Sequence, residues 1–326
     1  MRVLLWHVHG GWTDAFVRGE HEYLLPTAPG GGAYGLGRAG RDWPGSTREV
    51  PITGLADHPF DVVVCQRPEE LPLVQALTGR TPGVDVPAVF VEHNTPKQDV
   101  PWSRHPLADR PDLLVVHVTH YNDVLWDCGS TPTTVVEHGV VDPGHLYTGE
   151  LDAAAVVVNE PVRRHRVVGT DLFPRFARAA PLDVFGMGQE GLAEATGLGQ
   201  DRLRLCGDLP TAKLHAELAR RRVYVHTARW TSLGLSLLEA MHLGLPPVVL
   251  GSTEAWRAVP PGAGITSTRV AELVAATADL VADPARAADL GAAARAHALA
   301  RHGLASFLTT WDGVLRHATT GTGGAP

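Results

Sequence analysis

The residues best suited to chemistry gather in RVYVHTARWTSLGLSLLEAMHLGLPPVVLG, residues 222–251. RVYVHT (222–227) reads as a strand, a loop of hydroxyls and glycine follows, and a helix is expected from Gly234 or Leu235 with Ser232 as its N-cap. Small residues at 232, 234 and 236 let an anion approach backbone N–H groups at the positive end of the helix dipole. By physical chemistry this is a phosphate site. One turn further in, Glu239 lies within the apolar stretch LLEAMHL, where a carboxylate is costly unless something pairs with it. A sugar's vicinal diol bonded to both carboxylate oxygens would do so. So would an arginine beside a capped core helix, and the residues alone leave both open.

Two other segments carry candidate chemistry. VVVNEPVRRHRVVGTDLFPRF (156–176) brings Arg163, Arg164 and Arg166 close together, and guanidinium is a good bidentate phosphate partner, although charge clusters usually just face water. LDVFGMGQEGL (182–192) satisfies GxGxxG through Gly186, Gly188 and Gly191 after a strand, with Asp208 roughly where a dinucleotide fold keeps its ribose acid. That makes an NAD(P)-dependent oxidoreductase the competing class. It ranks lower because the fingerprint normally opens a domain's first strand, and LDVF is its domain's second. The 17 histidines include His7 and His9, expected on one strand face, and the near pair His117 and His120, but no HExxH motif or Cys/His cluster accompanies them. No metal is expected. GLSLL fails the nucleophile elbow at its last glycine, which disfavours a serine hydrolase.

Elements must position these groups, and the composition supplies them. The chain has 326 residues, 44% hydrophobic and 19% charged, enough apolar material for about two cores. A net charge of −7 opposes nucleic-acid binding by counterion release. Cys65, Cys128 and Cys206 are odd in number and far apart, which suits a reducing compartment and a cytoplasmic protein. The opening apolar stretch is too short for a signal segment, and no run reaches the length of a spanning helix, so membrane contact is expected to be peripheral at most.

Continuous apolar runs predict parallel strands buried on both faces: 2–8, 61–65, 87–93, 112–118 and 133–138, then 153–159, 182–186, 202–207, 222–227 and 246–251. Helices fit between them at 69–78, 121–126, 171–178, 192–196, 212–221 and 235–242. The expected architecture is α/β, two Rossmann-like domains facing a cleft, with domains at 1–145 and 146–302. A helix at 303–318 is expected to pack back on the first domain, followed by a disordered tail at 319–326. Residues 26–45 are Gly-rich and read as a long loop over the cleft, and 12–60 as a whole matches no named pattern.

The 222–251 segment resembles the donor-binding stretch of retaining GT-B glycosyltransferases of the family-4 type, glycosyl transferases group 1. There a strand and small-residue loop lead into E-G-F-G-L-x-x-x-E-A-M-A-x-G-x-P-V-V, and Gly234-Leu235, Glu239-Ala240-Met241, Gly244 and Pro246 keep that order and spacing. The resemblance implies that Glu239 holds a nucleotide ribose and that the amides around Gly234 and Leu235 hold a diphosphate. Trp230, Thr231, Ser232 and Leu233 would line the donor pocket. The family's first glutamate falls on Thr231 and its lysine on Val168, two departures, with Arg163, Arg164 or Arg166 facing the diphosphate. Gly186 and Gly188 resemble the turn under the base, and Gly10 and Gly11 the glycine loop of the first domain. His93 in VEHNTP resembles a residue facing the reacting sugar, HVTHYN (117–122) a serine turn with Thr119 for serine, and VVEHGVVDP (135–143) a segment with His138 for asparagine.

The resemblance implies a metal-independent, retaining transferase, of hexosyltransferase type, with no cofactor beyond its nucleoside diphosphate sugar. The acceptor would be a sugar, a lipid-linked molecule or another small molecule. A non-catalytic nucleotide- or sugar-binding protein of the same fold is the other alternative, motivated by Thr231 and Val168.

Overall fold

The computed structural model describes residues 1–321. It comprises two compact units, Met1–Val141 together with the segment from Leu304 onward, and Asp142–Gly303.

In the first unit, short segments, most of them rich in Val and Leu, form a seven-stranded sheet, all parallel. The strands are β1 (Arg2–Leu5), β2 (Glu22–Thr27), β3 (Thr47–Pro51), β4 (Val62–Cys65), β5 (Ala88–Glu92), β6 (Leu114–His117) and β7 (Thr133–Val135), in the order β3-β2-β1-β4-β5-β6-β7. Every residue of β4, β5 and β6 is buried, as continuous apolar runs require when helices or loops cover both faces. Helices α1 (Gly10–Phe16), α2 (Glu70–Thr78) and α3 (His120–Leu125) follow β1, β4 and β6.

The second unit repeats the plan with six parallel strands: β8 (Leu151–Val157), β9 (Leu182–Phe185), β10 (Leu203–Gly207), β11 (Arg221–His226), β12 (Pro247–Leu250) and β13 (Ile265–Ser267), ordered β10-β9-β8-β11-β12-β13. Its helices are α4 (Pro161–Arg164), α5 (Phe173–Phe176), α6 (Leu192–Thr196), α7 (Thr211–Ala219), α8 (Leu235–Leu243), α9 (Ala255–Ala258), α10 (Val270–Ala282) and α11 (Pro284–His302). The final helix α12 (Leu304–Thr320) belongs to the first unit, where Trp311 packs on Trp12 and Phe16 at ring separations of 5.6 and 5.0 Å.

In each sheet the chain leaves its first strand toward one edge and later returns to that strand's other side. The order therefore reverses between β1 and β4, and again between β8 and β11. Open parallel sheets hold ligands outside the carboxyl ends of their strands at such reversals.

Several expected elements differ in detail. β1 stops at Leu5 instead of reaching residue 8, because the next side chains serve the 28–46 segment: Trp6 Nε1 donates to Tyr34 O at 3.1 Å and His7 Nδ1 meets Gly37 O at 3.0 Å. His7 and His9 are thus not strand residues, and His9 is the N-cap position of α1. The helix expected over 171–178 is split into a turn at Thr170–Leu172 and α5, with Pro174 removing a donor in the first turn of α5. Region 12–60 contains most of α1, with β2 and β3; the sheet-edge strand β3 buries only Thr47 and Val50. Thr319 and Thr320 close α12 where a tail was expected, and residues 322–326 of that expected tail lie outside the described residues.

Candidate functional site

Three loops of the second unit converge at the carboxyl ends of β8, β9 and β11. After β8 the chain turns through Glu160 and Gly169, both with positive φ, and these turns enclose α4 with its Arg163 and Arg164. After β11 come Thr227 to Gly234. The two loops are stitched together. Thr227 Oγ1 donates to Val168 O at 2.7 Å, and the N–H groups of Arg229 and Trp230 donate to Val167 O at 2.9 and 3.2 Å. A Cβ at Gly169 would overlap the Thr227 carbonyl oxygen, and φ there is +78°, so glycine is required on two counts. Arg229 grips Asp171 with both terminal nitrogens, at 2.6 and 2.9 Å, and Arg166 adds a contact at 3.1 Å.

The turn after β9 joins the same place. Met187 N donates to Asn159 Oδ1 at 3.0 Å and Glu160 N to Met187 O at 2.8 Å, so Gly186 and Gly188 lie against residues 158–160. A Cβ at Gly186 would strike the Val158 carbonyl.

The three arginines are not equivalent. Arg163 is exposed and committed to Glu160, with Nε 2.8 Å from Oε1 and Nη2 on Oε2. Arg166 is exposed and paired with Asp171. Arg164 is half-buried: burial, then repulsion from Arg163, lowers its pKa against the opposing pull of Glu160. No ion pair joins it to a carboxylate among the described residues. Such a guanidinium is the best placed of the three to receive an anion.

Helix α8 begins at Leu235, and its N-cap is Gly234 in extended conformation without a side-chain cap. The expected cap, Ser232, is buried two residues earlier. The reason is local crowding: the His226 ring fills the space a side chain at Gly234 would need, so the extended cap position falls to glycine. The N-cap residue itself thus offers no side chain to the first N–H groups of α8. Behind them Ser236 Oγ and Tyr224 OH are 3.0 Å apart, and burial pushes the His226 pKa down to about 4, leaving a neutral ring. Thr231, Leu233 and Trp230 are partly exposed on the same loop. Glu239 follows on α8 with its side chain 20% exposed, and His215 of α7 approaches it, Nε2 to Oε2 being 3.7 Å. No arginine takes the Glu239 carboxylate in an ion pair among the described residues.

Gly10, Gly11 and His93 belong to the first unit, at the ends of β1 and β5. The His93 ring lies 4.0 Å from that of His9 and 6.3 Å from that of His138, with Trp12 at 5.3 Å. Burial, then the two neighbouring imidazoles, hold its pKa well below the ordinary value, so His93 is neutral near pH 7. Its Nε2 has no hydrogen-bond partner among the described residues. Glu92 fixes the turn beyond it, accepting from Asn94 N at 2.6 Å and meeting His105 Nε2 at 3.1 Å. Among the described residues no three His, Cys, Asp or Glu side chains converge to hold a metal ion.

Residues 180–297, from β9 through most of α11, match the family model described as glycosyl transferases group 1. The matched stretch lies wholly within the second unit. Solved structures extend the likeness over the whole chain. Sucrose-phosphate synthase from Thermosynechococcus elongatus superposes with a TM-score of 0.74 at 14% identity, covering 99% of this chain and 100% of that one. Anabaena Alr3699/HepE, solved with UDP-glucose, gives 0.71 at 14% identity, covering 97% and 99%. A glycosyltransferase from Rickettsia africae gives 0.72 at 11% identity, covering 98% and 99%. The fold is GT-B. No curated protein matches the chain.

One of the two departures from the resembled pattern takes on physical meaning. Val168 is 5% exposed and its carbonyl is bound by Thr227, so this position is a structural pin and Arg164 is the nearby cation. The GxGxxG at Gly186 to Gly191 follows β9, one strand away from the β8/β11 reversal, which is the wrong place for a dinucleotide fingerprint. No helix among the described residues is long and apolar enough to cross a membrane.

His215, Arg229 and Asp171 were not singled out by sequence. Their only signal was an ordinary polar position in a helix or loop, and each gains meaning from a contact across more than 20 residues.

Proposed function

We propose that this protein is a glycosyltransferase that moves a sugar, a hexose in the first instance, from a nucleoside diphosphate to a sugar, lipid-linked or other small-molecule acceptor in the cytoplasm, with no nucleic acid involved. The observation that carries this reading is the stitching of the turn that follows Arg164 to the loop ahead of α8, through the Val167 and Val168 carbonyls, at the carboxyl ends of the neighbouring strands β8 and β11. The UDP-glucose complex of HepE supports the same donor class. The departing diphosphate gains charge as the glycosidic bond breaks. Fixed N–H groups at the start of α8 and the Arg164 guanidinium meet that charge without reorganising, the arrangement that lowers such barriers most effectively. Stabilisation by these groups suffices in this proposal without a metal or other cofactor. Glu239 accepts hydrogen bonds from the ribose hydroxyls, while Trp230 and Thr231 wall the sugar, the threonine hydroxyl standing where the family keeps a carboxylate. The sugar's configuration is retained by front-side attack.

A thermal-shift panel of UDP, ADP, GDP, dTDP and their sugars, followed by mass spectrometry of products, tests the proposal. Stabilisation by a nucleotide sugar together with a glycosylated product is the expected result. Glu239→Ala should weaken donor use ten- to a hundredfold, since a charged hydrogen bond contributes about 1.5–3 kcal/mol. Stabilisation by NAD(P)H alone would overturn the reading, and donor binding with neither transfer nor hydrolysis would reduce it to a binding module.

A further inference from the structure

His215 lies on α7 with its side chain 10% exposed, facing α8. Its Nε2 is buried and has no hydrogen-bond partner among the described residues. A buried polar atom without a partner costs free energy, and native structures leave few of them unless a ligand completes the set. The nearest acceptor is Glu239 Oε2 at 3.7 Å, too long for a direct hydrogen bond. Two atoms at that separation can both reach one oxygen placed about 2.8 Å from each, the ordinary length of such bonds. A hydroxyl there would donate its proton to the Glu239 carboxylate and accept a hydrogen bond from the imidazole Nε2–H. Glu239 retains its other oxygen for the adjacent hydroxyl of a diol.

We infer that His215 is a second donor-binding residue, which completes with Glu239 a two-residue clamp on the vicinal hydroxyls of a nucleotide ribose. This rests on the transferase reading above and assigns one of its contacts to α7. The clamp selects ribose over deoxyribose because removing a hydroxyl leaves the two protein groups facing each other at a distance they cannot bridge. A purely structural histidine would lack that dependence on the ligand.

The test is isothermal titration of the full chain with UDP and ADP and with their 2′-deoxy and 3′-deoxy forms. For the ribonucleotide that binds, His215→Ala should weaken affinity about five- to tenfold. Affinity for at least one deoxy form should be unchanged by the same substitution. His215→Gln, whose amide reaches a similar point, should recover most of the loss. In a Glu239→Ala background, His215→Ala should have a much smaller effect, because the clamp has already lost its other half. Equal weakening of the ribonucleotide and both deoxy forms, or no weakening at all, would overturn the assignment while leaving the transferase reading intact. Failure of the wild-type chain to bind UDP, ADP, GDP or dTDP would overturn both.

Discussion

The two sheets reverse their strand order in the same way, but the groups at the two reversals differ in kind. At β8/β11 the chain places glycines, hydroxyls and a half-buried guanidinium in no ion pair with a carboxylate among the described residues, and the N-cap of α8 is a glycine with no side chain to offer its first amides. At β1/β4 it places bulk and neutral rings. Trp6 and Trp12 are each 1% exposed, Gln66 Nε2 donates to Trp6 O at 2.9 Å, and buried Glu70 is occupied by Arg67 and the Gln66 amide. Burial lowers the pKa of His7, His9 and His93 in this unit. The comparison teaches that topology fixes only where a ligand can lie. The residues at the strand ends decide whether that place favours an anion or an uncharged polar group.

The sharpest way to break the comparison is at glycine. Gly169→Ala puts a methyl against a carbonyl and holds alanine at positive φ, so it should cost roughly 2–4 kcal/mol in urea unfolding and abolish donor use. A mild effect would mean that the two loops of the second unit are not rigidly coupled. Next comes charge. Arg164→Ala should lower kcat/KM about ten- to a hundredfold, whereas Arg163→Ala, whose guanidinium is exposed and held by Glu160, should stay within about threefold. Reversal of that ranking would move the anion site to the solvent side of α4.

Acid should act on both units through buried rings. His117 in the first and His226 in the second are each pushed down to about 4 by burial. In the unfolded chain histidines take up protons near pH 6.5. The unfolded state therefore binds more protons between about pH 6.5 and 4, and stability present above that window is lost as pH falls through it. Urea midpoints measured from pH 7 to 5 should drop by the equivalent of roughly 1–2 kcal/mol for each such ring. The smallest effect is expected at Gly10→Ala. Its new methyl meets only the far end of the Arg41 side chain, at ordinary backbone angles, and the guanidinium can swing aside. Thermal unfolding should shift by less than about 1 kcal/mol, in contrast to Gly169.

Much of the architecture was legible because fully buried parallel strands must be apolar on both faces, so VVVC, AVFVE and LVVH declare themselves. β2 and β3 did not, since Pro26 interrupts one and polar Thr47, Arg48 and Glu49 dominate the other. The arginine turn and the small-residue loop were legible as separate pieces, but their junction at Gly169 and Thr227 was not, because no local pattern encodes a contact 58 residues apart. Ser232 misled for a related reason: N-cap preference is local, while the His226 ring that reserves the position for Gly234 comes from the preceding strand.

The placement of α12 bears on the order in which the molecule is made. Trp12 and Phe16 leave the ribosome long before their partner Trp311. The Asp142–Gly303 unit is finished while the earlier one still waits for its closing helix. During synthesis the earlier sheet must therefore carry an open aromatic seam until α12 has been made.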